Sequence, residues 1–440
     1  MNNSFTIAAV ATPPAAGGVG ILRLSGPHAL AVAKPLAPSV PETPVPRHAY
    51  FTELVDAAGT LLDQGLLLYF QAPHSFTGED VVELHAHGSP RLMQLLLAAV
   101  LADGRVRLAE PGEFTRRAFL CGKLDLTRAE AVADLVAAES EAAVRAAAAQ
   151  AAGQLSSQVR ALFEALLALH ADIEASLDFP AEAEGADADA SGRLAKVLVA
   201  AKELLASEGR GRLVRRGARV VLFGPVNAGK STLFNRLLGE ERALVDEEPG
   251  TTRDLLEARL ELEGFAVTLV DTAGLRAHAP GRVEQLGIAR TQAALEGADL
   301  AVLVLPPEAG PAQAAEWSTA AKHSLLVVYG KKDLLPSPPP GLAVSGRTGE
   351  GVEALRSALL GRLWEERAPS AVALVGERHA DALRRVVDSL ERAQKALHVS
   401  TVEAASGEVG LALDALGEIT GENASQALVD AIFRRFCIGK

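Results

Sequence analysis

The residues best suited to chemistry lie near the middle of the chain, where Gly224-Pro225-Val226-Asn227-Ala228-Gly229-Lys230-Ser231 has the spacing G-x-x-x-x-G-K-S. Glycines at those intervals let successive backbone N–H groups turn toward a phosphate. Lys230 can then reach the outer phosphates, and the Ser231 hydroxyl can hold Mg²⁺. Such a loop works between a strand and a helix whose N-terminus receives the anion. The flanks supply both, since Val220-Val221-Leu222-Phe223 reads as a buried strand and Thr232 to Leu238 as a helix.

Further polar motifs follow in the order in which a GTPase sheet presents its loops. Gly250-Thr251-Thr252-Arg253-Asp254 can offer a Thr hydroxyl to Mg²⁺, and Asp271-Thr272-Ala273-Gly274 closes an apolar strand with Asp271 facing the metal's water shell and Gly274 near the γ-phosphate. In Gly330-Lys331-Lys332-Asp333 the carboxylate can accept from both N–H groups on the guanine edge, which adenine does not offer, while Lys331 lays its methylene stem over the base. Ser345-Gly346-Arg347 fits the last base-contacting loop. GTP is therefore the expected nucleotide. Two positions depart from the usual pattern. Gly330 stands where GTPases carry an Asn that ties the base loop to the P-loop, which predicts looser guanine-nucleotide binding with the guanine preference intact, and a changed GDP affinity on Gly330→Asn. Leu275 stands where Ras-like proteins have a water-orienting Gln. The nearest downstream carboxylate in a plausible helix start is Glu284, for which an exposed helix position is an equally open reading.

The elements that must position these loops alternate between about 216 and 365. Apolar strands at Val220, Val267, Leu300 and Leu325 are each followed by a loop and a helical stretch, as in a doubly wound α/β sheet. Residues 1–118 mix strands (Thr6–Val10, Gly20–Leu24, Leu66–Phe70, Val81–His85) with a helix from Pro90 to Leu101, an α+β pattern. There Arg23 and Glu83 sit among apolar neighbours, readable as charges pointing outward from half-buried strands, and His85 and His87 share a strand face without further ligands at metal spacing. Ala-, Leu- and Glu-rich sequence predicts helices over Thr127–Ala152, Gln154–Leu177 and Leu194–Ser207, with a loop or linker from Asp178 to Gly192. Helical texture returns at Glu377–Ser400 and Ala424–Phe436, so the nucleotide module reads as inserted into an α-helical domain comprising 119–215 and 366–440.

Composition narrows the class. A net charge of −12 argues against a protein that coats nucleic acid, while a local basic patch can still bind a structured RNA. The two cysteines, Cys121 and Cys437, are too few for a disulfide framework or a zinc site. Phe5 to Leu22 contains Pro13-Pro14 and Gly17-Gly18 and lacks a basic lead-in, so neither a signal peptide nor a membrane span is expected; a cytoplasmic location is.

With these residues in view, the chain resembles the tRNA modification GTPase family known as MnmE or TrmE. The resemblance runs through Ala11-Thr12-Pro13-Pro14 to Gly26-Pro27, Phe76-Thr77-Gly78-Glu79-Asp80-Val81-Val82-Glu83-Leu84, Arg107 to Phe114, Leu124-Asp125-Leu126, the GTPase loops and the ending Cys437-Ile438-Gly439-Lys440. It implies an N-terminal domain that binds a tetrahydrofolate derivative (a 5-formyl or methylene form) and forms a homodimer. It also implies a heterotetramer with an FAD-dependent partner, MnmG or GidA, that builds an aminomethyl-type group, carboxymethylaminomethyl included, on C5 of the tRNA wobble uridine at position 34. Folate contacts carry over to Arg23, Glu83, Lys123 and Lys440, where a cation can hold a glutamyl carboxylate and a carboxylate can accept from the pterin edge. Mg²⁺ maps to Ser231 and Thr252. A K⁺ ion standing in for an arginine finger maps to Asn227, with Asp246, Glu248 and Thr251 in the loop closing over it. The water-orienting glutamate maps to Glu284, although Ala279-Pro280-Gly281 before it departs from the usual polar residues. Cys437 matches the family's functional cysteine, as nucleophile, acid or structural thiol; Cys121 stands where the family commonly has Asn. A ribosome-assembly GTPase would instead carry an RNA-binding module such as a KH domain. A folate enzyme with a degenerate G domain would not keep the phosphate and Mg²⁺ residues intact.

Overall fold

The computed structural model describes residues 5–178, 186–240, 256–272, 291–320, 324–334, 341–364, 375–399 and 401–439. Contact density divides the chain into two units, one of Met1–Ala133, Ala151–His170 and Gly407–Lys440, the other of Asp134–Gln150 and Ala171–Ser406.

In the first unit, β1 (Thr6–Val10), β2 (Gly17–Ser25), α1 (Ala29–Ala33), β3 (Ala49–Val55), β4 (Leu61–Phe70), β5 (Val81–Gly88), α2 (Pro90–Leu101) and β6 (Val106–Leu108) build a sheet of order β3-β4-β5-β2-β1-β6. All of its pairs are antiparallel except β1–β6. Alternation sends Leu22, Leu24, Val82 and Leu84 into a core closed by Met93, Leu96 and Val100 of α2. The α2 start is set by Pro90 behind Ser89, whose Oγ accepts from the Leu92 amide. Strand β3 was not legible in the sequence: at the sheet edge its Phe51 is 68% exposed, so the strand carries no apolar run.

The helical stretch expected over Thr127–Ala152 is broken. After α3 (Glu113–Leu120), α4 (Leu126–Ala137) stops and α5 (Glu141–Ala151) starts afresh, because Ser140 Oγ accepts from the Ala143 amide and caps the new helix. α6 (Gln154–Asp178) follows. α7 (Ala186–Ala206) begins inside the segment expected as a linker, where Ala-rich sequence favours helix.

After α8 (Glu208–Arg216), the second sheet comprises β7 (Ala218–Phe223), then α9 (Lys230–Glu240), β8 (Leu256–Leu262), β9 (Phe265–Asp271), β10 (Leu300–Leu305), α10 (Pro311–Ser318), β11 (Leu325–Tyr329), β12 (Leu342–Ala343) and α11 (Val352–Trp364). Its order is β12-β11-β10-β7-β9-β8, parallel throughout apart from the antiparallel β8–β9 hairpin at the edge. Strand β10 is buried at every residue, and apolar cores cover both faces of the sheet, as a doubly wound fold requires. The chain ends through α12 (Glu377–His398), packed along α7, then α13 (Val402–Thr420) and α14 (Gln426–Phe433).

Candidate functional site

The phosphate loop leaves the C-terminal end of β7 and runs into α9, the position at which doubly wound sheets bind nucleotides. Gly224 and Gly229 take positive φ, and so does Asn227 at +62°, a conformation that Asn tolerates better than other side-chain-bearing residues. Ala228 is buried beneath the turn, whereas Asn227, Ser231 and Thr232 are exposed. Lys230 is only 6% exposed, and its Nζ donates to Gly224 O at 3.0 Å and Pro225 O at 2.7 Å. A cavity of about 450 Å³ opens over the loop, lined by Asn227, Gly229, Lys230, Ser231 and Thr232 together with Thr272, Thr291, Trp317 and Lys331. Thr291 and Trp317 carry no motif, and only folding brings them here. Asp271 is fully buried at the end of β9, paired with Leu222 in the sheet register, and Thr272 Oγ1 donates to Leu222 O at 3.0 Å.

The candidate base loop follows β11. Lys331 adopts φ +55°, which turns the chain so that its side chain passes close to Gly229. Asp333 accepts from Ser345 Oγ at 2.6 Å, and that hydroxyl holds the Asp333 carboxyl below its ordinary range. The Ser345 oxygen in turn accepts from the Thr348 amide at 3.1 Å. Gly330 is explained by proximity, because a Cβ there would come within 2.1 Å of Ala228 O. The base loop thus rests directly on the P-loop backbone, in the space that a tethering side chain would need. Phosphate and base residues are brought together by the sheet. Asp246, Glu248, Gly250, Thr251, Thr252, Ala273, Gly274 and Glu284 lie outside the described residues.

A second polar cluster lies in the other unit. Register makes Arg23 of β2 and Glu83 of β5 direct cross-strand partners, and Arg23 Nε donates to Glu83 Oε1 at 2.8 Å. Both project from the face opposite the apolar core, 22% and 14% exposed. His85, two residues along the same face, meets Glu83 Oε2 at 3.1 Å, while His87 pairs with Asp63 at 2.9 Å. Among the described residues no group of three or more His, Cys, Asp or Glu could hold a metal ion. The C-terminal segment reaches this cluster: Arg23 Nη1 donates to Gly439 O at 3.3 Å, and the Gly112 amide donates to Cys437 O. Cys437 is exposed; Lys440 lies outside the described residues. Lys123 packs its stem by the Gly78 turn beside Cys121, whose thiol is pushed up by burial and by the Glu79 charge against the pull of Arg117 and Lys123.

Sequence reasoning missed Arg117. It is 2% exposed, paired with Glu79 at 2.9 Å and Glu113 at 3.0 Å, and it donates to the carbonyls of Phe5 and Ser25. Its Glu113 partner is an ordinary i,i+4 neighbour, but Glu79 and the Ser25 and Phe5 carbonyls lie 38, 92 and 112 residues away, so spacing in the chain does not mark its burial.

The family model described as the GTP-binding protein TrmE N-terminus matches residues 6–123, and that of the MnmE helical domain matches residues 126–437. The tRNA modification GTPase MnmE of Myxococcus xanthus is 67% identical over 441 residues, covering 100% of both chains. That of Nitrosomonas europaea is 42% identical, again across 100% of both. Among the described residues no helix is long and apolar enough to cross a membrane. Identity at this level from end to end takes in the phosphate loop, the base loop and the Arg23–Glu83 strands alike, and the chain accordingly belongs to the MnmE family of tRNA modification GTPases.

Proposed function

We propose that this GTPase acts with an FAD-dependent partner of the MnmG (GidA) type to install an aminomethyl or carboxymethylaminomethyl group on C5 of the tRNA wobble uridine at position 34, a tetrahydrofolate derivative supplying the one-carbon unit. The proposed division is an N-terminal folate-binding and dimerising domain over 1–118, a helical domain over 119–215 and 366–440, and a G domain over 216–365, working as a cytoplasmic homodimer within a heterotetramer.

The observation that carries this reading is the junction at Arg23, where one guanidinium holds the Glu83 carboxylate and the carbonyl of Gly439. A switch GTPase has no need of such a junction. A folate gives it a role: Glu83, held by Arg23, can accept from the pterin amino edge, the glutamyl carboxylate at the far end of the ligand falls to a cation not bonded to Glu83, and the adjoining tail carries Cys437 and Lys440. Lys123 is assigned to the same ligand.

At the nucleotide, backbone amides from Asn227 to Thr232 cradle the phosphates and Lys230 turns from the loop carbonyls to the outer phosphates. Asp333, Lys331 and Ser345 hold guanine. The exposed Ser231 hydroxyl fits Mg²⁺, shared with Thr252. The exposed Asn227 amide fits K⁺, with Asp246, Glu248 and Thr251, and Gly250, Asp271, Thr272, Ala273 and Gly274 complete the nucleotide loops. Bound there, the cations would neutralise charge developing on the phosphates. Glu284 orients the attacking water.

Complementation of a bacterial strain lacking its own MnmE tests the reading, with wobble-uridine modification scored by mass spectrometry of the tRNA. Wild type restores the modification and Arg23→Ala does not; failure of the wild-type chain overturns the proposal. In parallel, GTP hydrolysis is expected to run at least about tenfold faster in K⁺ than in Na⁺, equivalent to ~1.4 kcal/mol of barrier. Glu284→Ala is expected to abolish the K⁺-stimulated rate. Equal rates in the two salts, or undiminished turnover by that variant, would remove the ion and the residue from the mechanism.

A further inference from the structure

The base-contacting loop after β12 is held from α9, by a residue that no nucleotide motif requires. Arg236 Nε donates to Gly346 O at 3.0 Å, and its Nη2 donates to Arg347 O. The loop sits so close to the helix that a Cβ at Gly346 would come within 2.8 Å of Leu233 N and of Thr232 C. The two carbonyls held by Arg236 come directly after Ser345, whose Oγ donates to Asp333 Oδ1. The chain of contacts therefore runs from α9 through Arg236 to the 345–347 loop, and from Ser345 to the carboxylate assigned to guanine. Arg236 lies about 9 Å along the same helix from Lys230, at 1.5 Å of rise per residue. One rigid helix thus sets the phosphate end and props the base end of the site.

We propose that Arg236 is a positioning residue for guanine recognition, its guanidinium fork fixing the 345–347 loop on α9 and thereby the direction in which Ser345 aims the Asp333 carboxylate. The planar fork suits two neighbouring carbonyls; a lysine ammonium, a point donor on a flexible stem, holds them less firmly. The proposal rests on the assignment of Asp333 to the guanine edge.

The test compares GDP with IDP, whose hypoxanthine lacks the exocyclic amine, so that the ratio of their affinities reads the aim of the carboxylate. Arg236→Ala in the full chain is expected to raise the Kd for GDP about tenfold and that for IDP less than about threefold, on the scale of charge-assisted hydrogen bonds. The KM for GTP rises with the GDP value, and Arg236→Lys recovers part of the GDP/IDP ratio. A role confined to helix stability would weaken both nucleotides equally. Equal losses, or an unchanged ratio, overturn the proposal. Asp333→Asn is measured alongside against XDP, whose C2 carbonyl can accept from the new amide. Gained XDP affinity upholds the base assignment independently of Arg236, whereas no gain refutes that assignment and the Arg236 role with it.

Discussion

Single residues decide more here than their motifs suggest. Gly330 departs from the Asn usual in GTPases, and the sequence alone predicts that the missing tether loosens guanine-nucleotide binding, so that Asn in its place would tighten it. The 2.1 Å approach of a notional Cβ to Ala228 O reverses that sign, because the loop has no room for a side chain. Gly330→Asn and Gly330→Ala are expected to weaken GDP binding, by about 1–3 kcal/mol if the strain is typical of overpacking; titration with a fluorescent GDP reads this, and unchanged or tighter binding would refute it. Arg117 is the corresponding residue of the N-terminal unit. Arg117→Met takes the shared cation from Glu79 and leaves Glu113 to Arg107 alone, and about 3–5 kcal/mol of local stability should go with it, read as a lowered unfolding transition in calorimetry. Glu113 adds a pH signature. Burial pushes its carboxyl up, but Arg107, the Glu110 amide and Arg117 outweigh burial and hold it below the ordinary value. A depressed folded value means stabilisation that is complete above the unfolded value and lost as pH falls through the folded one. The gap in Tm between wild type and Glu113→Gln should therefore close as the pH falls through the ordinary carboxylate range and below it.

At the scale of elements, the β8–β9 hairpin stands out, because it joins the segment after Thr252 to the strand ending at Asp271. Its tip caps a helix outside the sheet. The Ala142 amide of α5 donates to Gly264 O at 2.9 Å, the Glu141 amide donates to Glu261 Oε1 at 3.1 Å, and Arg259 bridges Glu139 at 2.9 Å. The hairpin thus satisfies N–H groups that a helix start leaves open. The Arg259–Glu139 pair is exposed and worth little alone, so the cap is what matters. Glu261→Ala is expected to cost about 1 kcal/mol at the α5 start, seen as faster hydrogen exchange of the Glu141–Val144 amides with α11 unaffected; unchanged exchange would refute the cap.

Across the whole molecule, the two chemistries occupy different compact units. Arg23, Glu83 and the tail belong to one, the phosphate and base loops to the other. Ligand binding to each should be separable at equilibrium. Deleting residues 437–440 removes the carbonyls bonded by Gly112 and Arg23, and is expected to weaken binding of 5-formyltetrahydrofolate by at least about tenfold, ~1.4 kcal/mol, in isothermal titration, while GDP affinity stays as in the full chain. Parallel loss of both ligands would show that the tail supports more than the Arg23–Glu83 cluster.

What the sequence determined by itself is whatever depends on near neighbours. The P-loop, the D-T-A-G and the K-x-D patterns each lie within a few residues, so their candidate roles, and the GTPase class, could be read directly. The doubly wound sheet was legible because its buried strands are continuous apolar runs, and the α5 start was misread because one serine outweighed helix propensity. Tertiary structure decided what depends on distant partners. Register turned Arg23 and Glu83 from two outward charges into one pair, and folding brought Gly439 to Arg23 across 416 positions. Close backbone approach explained Gly330, and long-range carbonyls gave Arg117 and Arg236 their roles. Such contacts leave no spacing in the chain, because hydrogen bonds and packing act through space and are set only when the sheets close.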